Sequence, residues 1–143
     1  MKRKFLDFFL SLFGKKKKEV RDPPPERVAA DLIQYRLEQF MTIKKPFIQP
    51  HYTIKQLAQD IKIPAYQLSA YINQRIGMNF SDYLNRFRVR QCEELIKKSA
   101  GKKINIQQLA TKCGFQNRNT FTAAFKKFTG RTPSSYAKDF GKS

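Results

Sequence analysis

Two eleven-residue stretches of this chain share one residue pattern, and this repeat constrains the fold more than any other feature of the sequence. TIKQLAQDIKI begins at Thr53 and NIQQLATKCGF begins at Asn105, an offset of 52. After one inserted residue the match continues at an offset of 53, as far as the pair Tyr83 and Tyr136. The chain has therefore used one structural unit twice.

Each copy has the pattern of a short helix that another helix crosses closely. Thr53 and Asn105 stand where a helix would begin, and both residue types are good N-caps. Ala58 and Ala110 occupy the fifth helical position of each copy. A small side chain there lets a second helix approach, so we expect two crossing helices in each unit.

Glycines mark the turns and ends of the two units. Gly114 suits the left-handed conformation of a tight turn between helices, where the first copy carries Lys62 instead. Gly77 and Gly130 follow the second helix of each copy, where a left-handed residue commonly ends a helix. This is the layout of a helix-turn-helix motif, whose second helix enters the major groove of DNA.

The pattern outside the repeat is also helical, so the predicted fold is all-α with about seven helices. A first helix is expected near Glu26 to Lys44, and no alternating strand pattern appears beyond a few residues. We place the first helix-turn-helix at about 53–77, a long linker helix at about 81–98 and the second helix-turn-helix at about 105–130.

The charge of the chain favours a polyanionic partner. Lys and Arg number 29 against 11 Asp and Glu, a formal net charge of +18. Residues 26–143 alone carry 21 basic and eight acidic side chains, so the surplus belongs to the helical region and not only to a tail. Such a density is self-repulsive without phosphates to neutralise it. No run reaches the roughly 18 apolar residues of a membrane-spanning helix.

Residues 1–25 form a different kind of segment, basic and amphipathic, which ends in a proline-rich linker. Lysines and an arginine flank an apolar helical face within residues 1–18, as in helices that lie on anionic membranes. This segment leaves two alternatives open beside a DNA-binding protein. One is a membrane-associated signalling regulator tethered by residues 1–18, and the other is a helical adaptor that uses them to bind a protein.

The second copy in particular resembles a known family, the AraC/XylS-type transcriptional regulators. The most specific part is LATKCGFQNRNTFTAAFKKFTGRTPSSY at residues 109–136, and YQLSAYINQRIGMNFSDYLNRFRV at residues 66–89 matches the first half. The resemblance covers roughly residues 30–140. It implies two helix-turn-helix subdomains joined by one long helix, a non-enzymatic, cytoplasmic regulator of double-stranded DNA, and RNA polymerase as a protein partner. This sequence does not include the N-terminal effector and dimerisation domain of larger members, so we expect either a small regulator that binds DNA as a monomer or the output end of a longer sensor.

The outward faces of the two second helices are the predicted base-reading surfaces. In each helix an apolar row must face the core, which leaves a complementary face for DNA. Arg and Asn side chains pair with guanine and adenine edges, and the AraC-type pattern places readers at these positions. The predicted base-contacting residues are Tyr66, Ser69, Ala70 and Asn73 in the first helix, and Arg118, Asn119, Thr122 and Ala123 in the second.

Phosphate contacts are predicted at two repeated helix starts and from nearby basic side chains, because exposed amides at a helix start attract an oxyanion. The predicted residues are Lys55, Arg75, Ser81, Lys126, Lys127, Thr132, Ser134 and Ser135. Arg86, Arg88 and Arg90 on the linker helix either join this set or face solvent.

The remaining reactive residues do not suggest catalysis, a cofactor or a metal. His51, the single histidine, has no evident partner in the sequence and is expected in a surface loop. Cys92 and Cys113 stand at apolar helical positions, and we expect buried, reduced thiols. Two cysteines and one histidine lack the spacing of a zinc site.

Overall fold

The computed structural model describes residues 25–140, and that part of the chain is all-α, as predicted. It forms seven α-helices, together with a 3₁₀ turn at Pro46–Ile48 and a π-helical turn at Ile72–Ile76. The helices are α1 (Pro25–Lys44), α2 (Ile54–Ile61), α3 (Ala65–Tyr71), α4 (Phe80–Lys98), α5 (Ile106–Lys112), α6 (Arg118–Thr129) and α7 (Pro133–Phe140). The predicted membrane or partner contacts of residues 1–18 lie outside the described residues.

Helix caps define the starts of both repeated units, as the sequence predicts. Thr53 caps α2 with a reciprocal capping box to Gln56. Asn105 caps α5 by accepting a hydrogen bond from the backbone N–H of Gln108 at 3.0 Å. The two units therefore begin with the same device, a side-chain oxygen that satisfies a free amide of the first turn.

The same backbone bond closes the turn of each helix-turn-helix. The N–H of Ile63 donates to the carbonyl of Ala58 at 3.0 Å, and the N–H of Phe115 donates to that of Ala110 at 2.9 Å. Both alanines are buried. The helices that leave these turns, α3 and α6, are the second helices of the two motifs.

The residue inside each turn adopts the left-handed conformation. Gly114 has φ +93°, and Lys62 reaches φ 56° at the equivalent position although it is not a glycine. Gly77 and Gly130 have φ values of 80° and 78° where α3 with its π turn and α6 end. These glycine positions confirm the expected turn and helix ends.

The two second helices end differently, which the sequence did not predict. The last part of the first is a π-helical turn, in which the N–H of Gly77 donates to the carbonyl of Ile72 at 3.0 Å. The whole of α6 is a regular α-helix. The wider turn shifts the side chains that follow Ile72 relative to a regular helical wheel.

Helix α4 carries one hydrophobic core on each half. Its first half supplies Tyr83 and Leu84 to the core beneath α1, α2 and α3, and its second half supplies Val89, Cys92 and Ile96 to the core beneath α5, α6 and α7. The side chains predicted to face inward from the second helices are buried at Leu68, Ile72, Phe121 and Phe125. Ile76 and Phe128, which belong to the same predicted apolar rows, are only partly buried.

The two cysteines are buried as expected but do not remain separate thiols. Cys92 on α4 and Cys113 at the end of α5 are joined by a disulfide, with their Cα atoms 6.0 Å apart. Both side chains are 0% exposed. The expectation of reduced thiols is therefore wrong for this structure, because the fold brings together two positions 21 residues apart in the sequence.

The turn of the second motif packs directly on the 3₁₀ turn that follows α1. A Cβ atom at Gly114 would lie 2.4 Å from the carbonyl oxygen of Phe47 and 2.9 Å from that of Ile48. Real Cβ atoms do not approach backbone oxygens this closely, so only glycine fits there. The two units are thus in contact through their backbones.

Arg88, on α4, connects the same two turns. Its Nε donates to the carbonyl of Phe47 at 2.7 Å and one Nη donates to that of Gln49 at 3.3 Å, while its guanidinium lies 5.8 Å from the ring centre of Phe115. Burial lowers the pKa of this guanidinium. An arginine starts so far above neutrality that the side chain stays charged. Arg88 is therefore a structural link between the units and does not simply face solvent.

Candidate nucleic-acid interface

The outward face of α3 is at the protein surface where the sequence places it. Tyr66 is 74% exposed, an unusual position for a large ring, and Ala70 and Asn73 are exposed as well. Ser69 is half-buried. Leu68, on the opposite side, is fully buried. The helix therefore presents one aromatic ring and short side chains to a partner.

Two of the polar groups on this face already have neighbours. The Tyr66 hydroxyl accepts a hydrogen bond from Nε2 of Gln67 at 3.1 Å. The Asn73 amide donates to the backbone carbonyl of Ser69 at 2.9 Å. A base that pairs with Asn73 has to compete with that internal bond.

The outward face of α6 is more open and more polar. Arg118, Asn119 and Ala123 are exposed and Thr122 is half-buried. Neither Arg118 nor Asn119 makes a side-chain hydrogen bond to any residue within 25–140, so both side chains are available to a ligand. The helix begins at Asn117, whose side chain accepts a hydrogen bond from the N–H of Thr120 at 2.8 Å, as expected for its N-cap.

The predicted basic phosphate contacts are exposed but differ in their surroundings. Lys55 on α2 and Lys126 on α6 lie at the surface. Lys127 forms an ion pair with Asp82 at 2.7 Å, which joins the end of α6 to the first turn of α4. Arg75 lines a cleft between α1, the π turn and α4. The phosphate contacts of all four stay predictions.

Ser81 and Ser134 occupy equivalent places, each the second residue of its helix and each exposed. Helix α4 is capped by Asn79, not by Ser81. At α7 the Thr132 hydroxyl accepts a hydrogen bond from the N–H of Ser135 at 3.2 Å. The start of α4 contains an acidic residue and that of α7 contains none, so α7 offers an anion the more favourable field.

Sequence reasoning missed the role of Arg131 beside α7. One Nη donates to the backbone carbonyl and the hydroxyl of Ser135 at 2.8 and 3.1 Å, and the other Nη pairs with Asp139. The bond to Asp139 raises the pKa of Arg131. The guanidinium thus lies next to the predicted phosphate site with its charge paired to Asp139, and no pattern in the sequence indicates this contact.

His51 does have a partner, contrary to the expectation from the sequence. Its Nδ1 lies 2.7 Å from Nε2 of Gln116, which follows the turn of the second motif. The exposed position of His51 agrees with the prediction. No group of three or more metal-binding side chains occurs between residues 25 and 140, and no helix in that range has the length and apolarity needed to span a bilayer.

Two helix-turn-helix units on a shared α4 define a double helix-turn-helix domain. A family model described as "Helix-turn-helix domain" matches residues 57–139. The chain belongs to this family, the AraC-type helix-turn-helix domains of DNA-binding transcriptional regulators.

Similar proteins are bacterial and carry the same fold. The chain is 28% identical over 118 residues to the transcriptional activator RhaR of Cronobacter sakazakii, which covers 82% of this chain and 38% of RhaR. A Listeria innocua protein of unknown function is 33% identical with a TM-score of 0.60, over 75% of this chain and 95% of that structure. An AraC-type regulator structure from Chromobacterium violaceum gives a TM-score of 0.64 at 16% identity, covering 81% and 97%. The chain spans well under half the length of RhaR.

Proposed function

We propose that this chain binds double-stranded DNA by placing α3 and α6 in adjacent segments of the major groove, and that it thereby regulates transcription. The observation that carries the proposal is the contact between the two units. Gly114 and Arg88 hold the turns together, so α3 and α6 have one fixed relation to each other. Helix α4 has 19 residues and is about 28 Å long. This length is close to one DNA turn of about 34 Å.

Base discrimination is assigned mainly to α6. Arg118 has the donors for a bidentate contact to guanine, and Asn119 suits adenine. Thr122 and Ala123 follow on the same exposed face, where they suit a thymine methyl group. On α3, Tyr66 is the principal reader, and Ser69, Ala70 and Asn73 contribute less because they are short or internally bonded.

The phosphate contacts are assigned to both helix starts. Ser81 and Ser134 each offer an amide in the first turn, and Thr132 and Ser135 complete the site at α7. Side-chain contacts to phosphates are assigned to Lys55, Arg75, Lys126 and Lys127. Neutralised phosphates release counterions, so affinity should fall steeply as salt rises.

The biological setting follows from the binding mode. Two reading helices on one chain suit an asymmetric site bound by a monomer in the cytoplasm. RNA polymerase is the protein partner that fits regulation from such a site. None of these functions requires catalysis by the chain.

Selection of bound duplexes from a random pool tests the proposal. We expect a bipartite site whose two parts are about one helical turn apart, with the stronger base preference in the part contacted by α6. Arg118→Ala should lose about 1–3 kcal/mol of discrimination at one or two base pairs and leave the rest of the site unchanged.

Lys97→Ala, an exposed residue at the end of α4, is the matched control because it removes one positive charge away from α6. It should leave the selected sequence unchanged. A selected site that Arg118→Ala does not alter would contradict the assignment of bases to α6. A pool that yields no preferred sequence would contradict specific DNA binding altogether.

A further inference from the structure

A solvent-open cavity of about 610 Å³ lies between α1, the end of α3 with its π turn, and α4, and among its lining residues the DNA-binding proposal uses only Arg75. Helix α1 contributes Glu38 and Thr42, and α4 contributes Arg86 and Arg90. The volume falls within the range of small-molecule binding sites, roughly 300–1,000 Å³. The cavity is therefore large enough for a small organic ligand.

The walls combine positive charge with aromatic surface. Arg75, Arg86 and Arg90 line the cavity against a single carboxylate, that of Glu38. None of the three arginines makes a hydrogen bond or an ion pair within residues 25–140. The Glu38 carboxylate accepts a hydrogen bond from Gln34 at 2.9 Å. Three exposed arginines thus line one cavity that has a single carboxylate in its lining.

The pKa values of the two tyrosines that line the cavity depend on the same charged groups. Burial raises the pKa of Tyr71 and of Tyr83, and Glu38 raises both further. Arg75 acts in the opposite direction on Tyr71, as Arg86 does on Tyr83. The ring of Phe87 packs edge-on against Tyr83 at 5.1 Å, so aromatic surface lies beside the arginines. A ligand here would meet the half-buried rings of Tyr71 and Phe87 beside the arginines, because Tyr83 is almost fully buried.

The cavity lies away from the predicted reading face of α3. Arg75 is nine residues beyond Tyr66, so at about 100° per residue the two lie on opposite sides of the helix. The wider π turn modifies this angle but does not bring Arg75 onto the face of Tyr66. A molecule in the cavity would touch α3 from behind while its outward face remains free.

We propose that this cavity binds a small aromatic anion, a ring that carries a carboxylate or phosphate group, with the anionic group held by Arg86 and Arg90 and the ring against Tyr71 and Phe87. An arginine pair suits a planar or tetrahedral oxyanion because each guanidinium donates two parallel hydrogen bonds. Anion and ring are both required, since arginines alone would bind any phosphate. The assignment does not depend on DNA binding.

Titration of the full chain with phenyl phosphate, followed by NMR and calorimetry, tests the proposal. We expect one equivalent to bind, with the largest amide shifts at residues that line the cavity. Inorganic phosphate, which lacks the ring, and phenol, which lacks the charge, should each bind at least about tenfold more weakly. A titration with benzoate compares a carboxylate with the phosphate group as the anionic part of the ligand.

Arg86→Gln and Arg90→Gln should each lower the affinity for phenyl phosphate at least about fivefold. Both residues are exposed, so the variants should fold. Thr42→Glu adds a carboxylate to the wall of the cavity, so this variant should also have a lower affinity for phenyl phosphate. Lys97→Gln is the control and should leave the affinity unchanged. Equal binding of inorganic phosphate and phenyl phosphate, or shifts spread over the whole basic surface, would overturn the proposal. So would the absence of saturable binding.

Discussion

The two helix-turn-helix units share one sequence pattern, but the turn inside each has a different environment. In the first unit the left-handed residue is Lys62, whose side chain is exposed. In the second it is Gly114, which is buried against the carbonyls of Phe47 and Ile48. The same backbone conformation is thus a local turn in one unit and the contact between units in the other. The two turns share one backbone shape, and only the turn at the junction requires a glycine.

The reading faces of the two units also differ. The first offers a ring, Tyr66, and an amide of Asn73 that is already bonded to its own helix. The second offers Arg118 and Asn119 with no partner among residues 25–140. The second unit therefore holds both the junction and the more versatile reading face, and we expect changes there to have the larger effects.

Gly114→Ala should be the most damaging single change. The left-handed backbone disfavours alanine by about 1–2 kcal/mol. A methyl group 2.4 Å from a backbone oxygen adds overpacking of about 1–3 kcal/mol. Gly130→Ala is the control, because its φ is similar but nothing lies within 4 Å of the added atom. Chemical denaturation of both variants separates packing from backbone strain, and equal losses of stability would argue against the junction.

Arg88→Met should destabilise the junction from the other side. The change leaves the carbonyls of Phe47 and Gln49 without their side-chain donor, and the part-buried carbonyl of Phe47 accounts for most of an expected loss of about 1 kcal/mol. Urea unfolding measures the loss, with Lys98→Met on the same helix as the exposed control. DNA affinity should also fall at conditions where the variant is fully folded, because the two reading helices lose their fixed relation. Unchanged stability would remove Arg88 from the junction.

Lys62→Gly should change the stability in the opposite direction and by a smaller amount. Glycine adopts the left-handed conformation without the penalty of a Cβ atom, and Lys62 has no packing to lose in an exposed turn. We expect a gain of up to about 1 kcal/mol in the free energy of unfolding. A loss of stability would show that the lysine side chain contributes to the first unit.

Alkaline pH should produce the smallest effect, and Tyr52 is the residue to test. Burial, the hydrogen bond to Asp60 and the charge of Asp60 all raise the pKa of Tyr52 above that of an unfolded tyrosine. The resulting stabilisation is complete below about pH 10, the ordinary tyrosine pKa, and is lost as the pH rises through the folded-state pKa. Urea unfolding at about pH 8 and about pH 10.5 measures the loss. Tyr52→Phe should reduce this pH dependence, and an unchanged dependence would contradict the assignment.

The local part of this architecture could be predicted from the sequence. N-caps at Thr53, Asn105 and Asn117 depend on residues three positions away, so the pattern contains all the information needed. The repeat predicted two units, and the family resemblance predicted their connection by one helix. Helical periodicity predicted the exposed positions of six of the eight proposed base readers, and the other two, Ser69 and Thr122, are half-buried.

The contacts between units could not be predicted, because they join residues far apart in the sequence. Arg88 bonds to residues 39 and 41 positions away, and His51 pairs with Gln116 across 65 positions. The pairing of Cys92 with Cys113 likewise depends on how α4 and α5 pack. The π turn that ends the first reading helix has no signal in residue periodicity. A glycine at 114 indicated a left-handed turn but not the carbonyls packed against it.

The central claim is that α3 and α6 act as one rigid reader of two neighbouring major-groove segments. Binding to the selected duplex and to derivatives with about 5 or about 10 base pairs inserted between its two parts tests this claim most directly. A rigid domain predicts that both insertions reduce the affinity to that of a single part, even though the longer one restores the same face of the helix. Full affinity for the duplex with the longer insertion would contradict the account, because only flexibly connected units could span it.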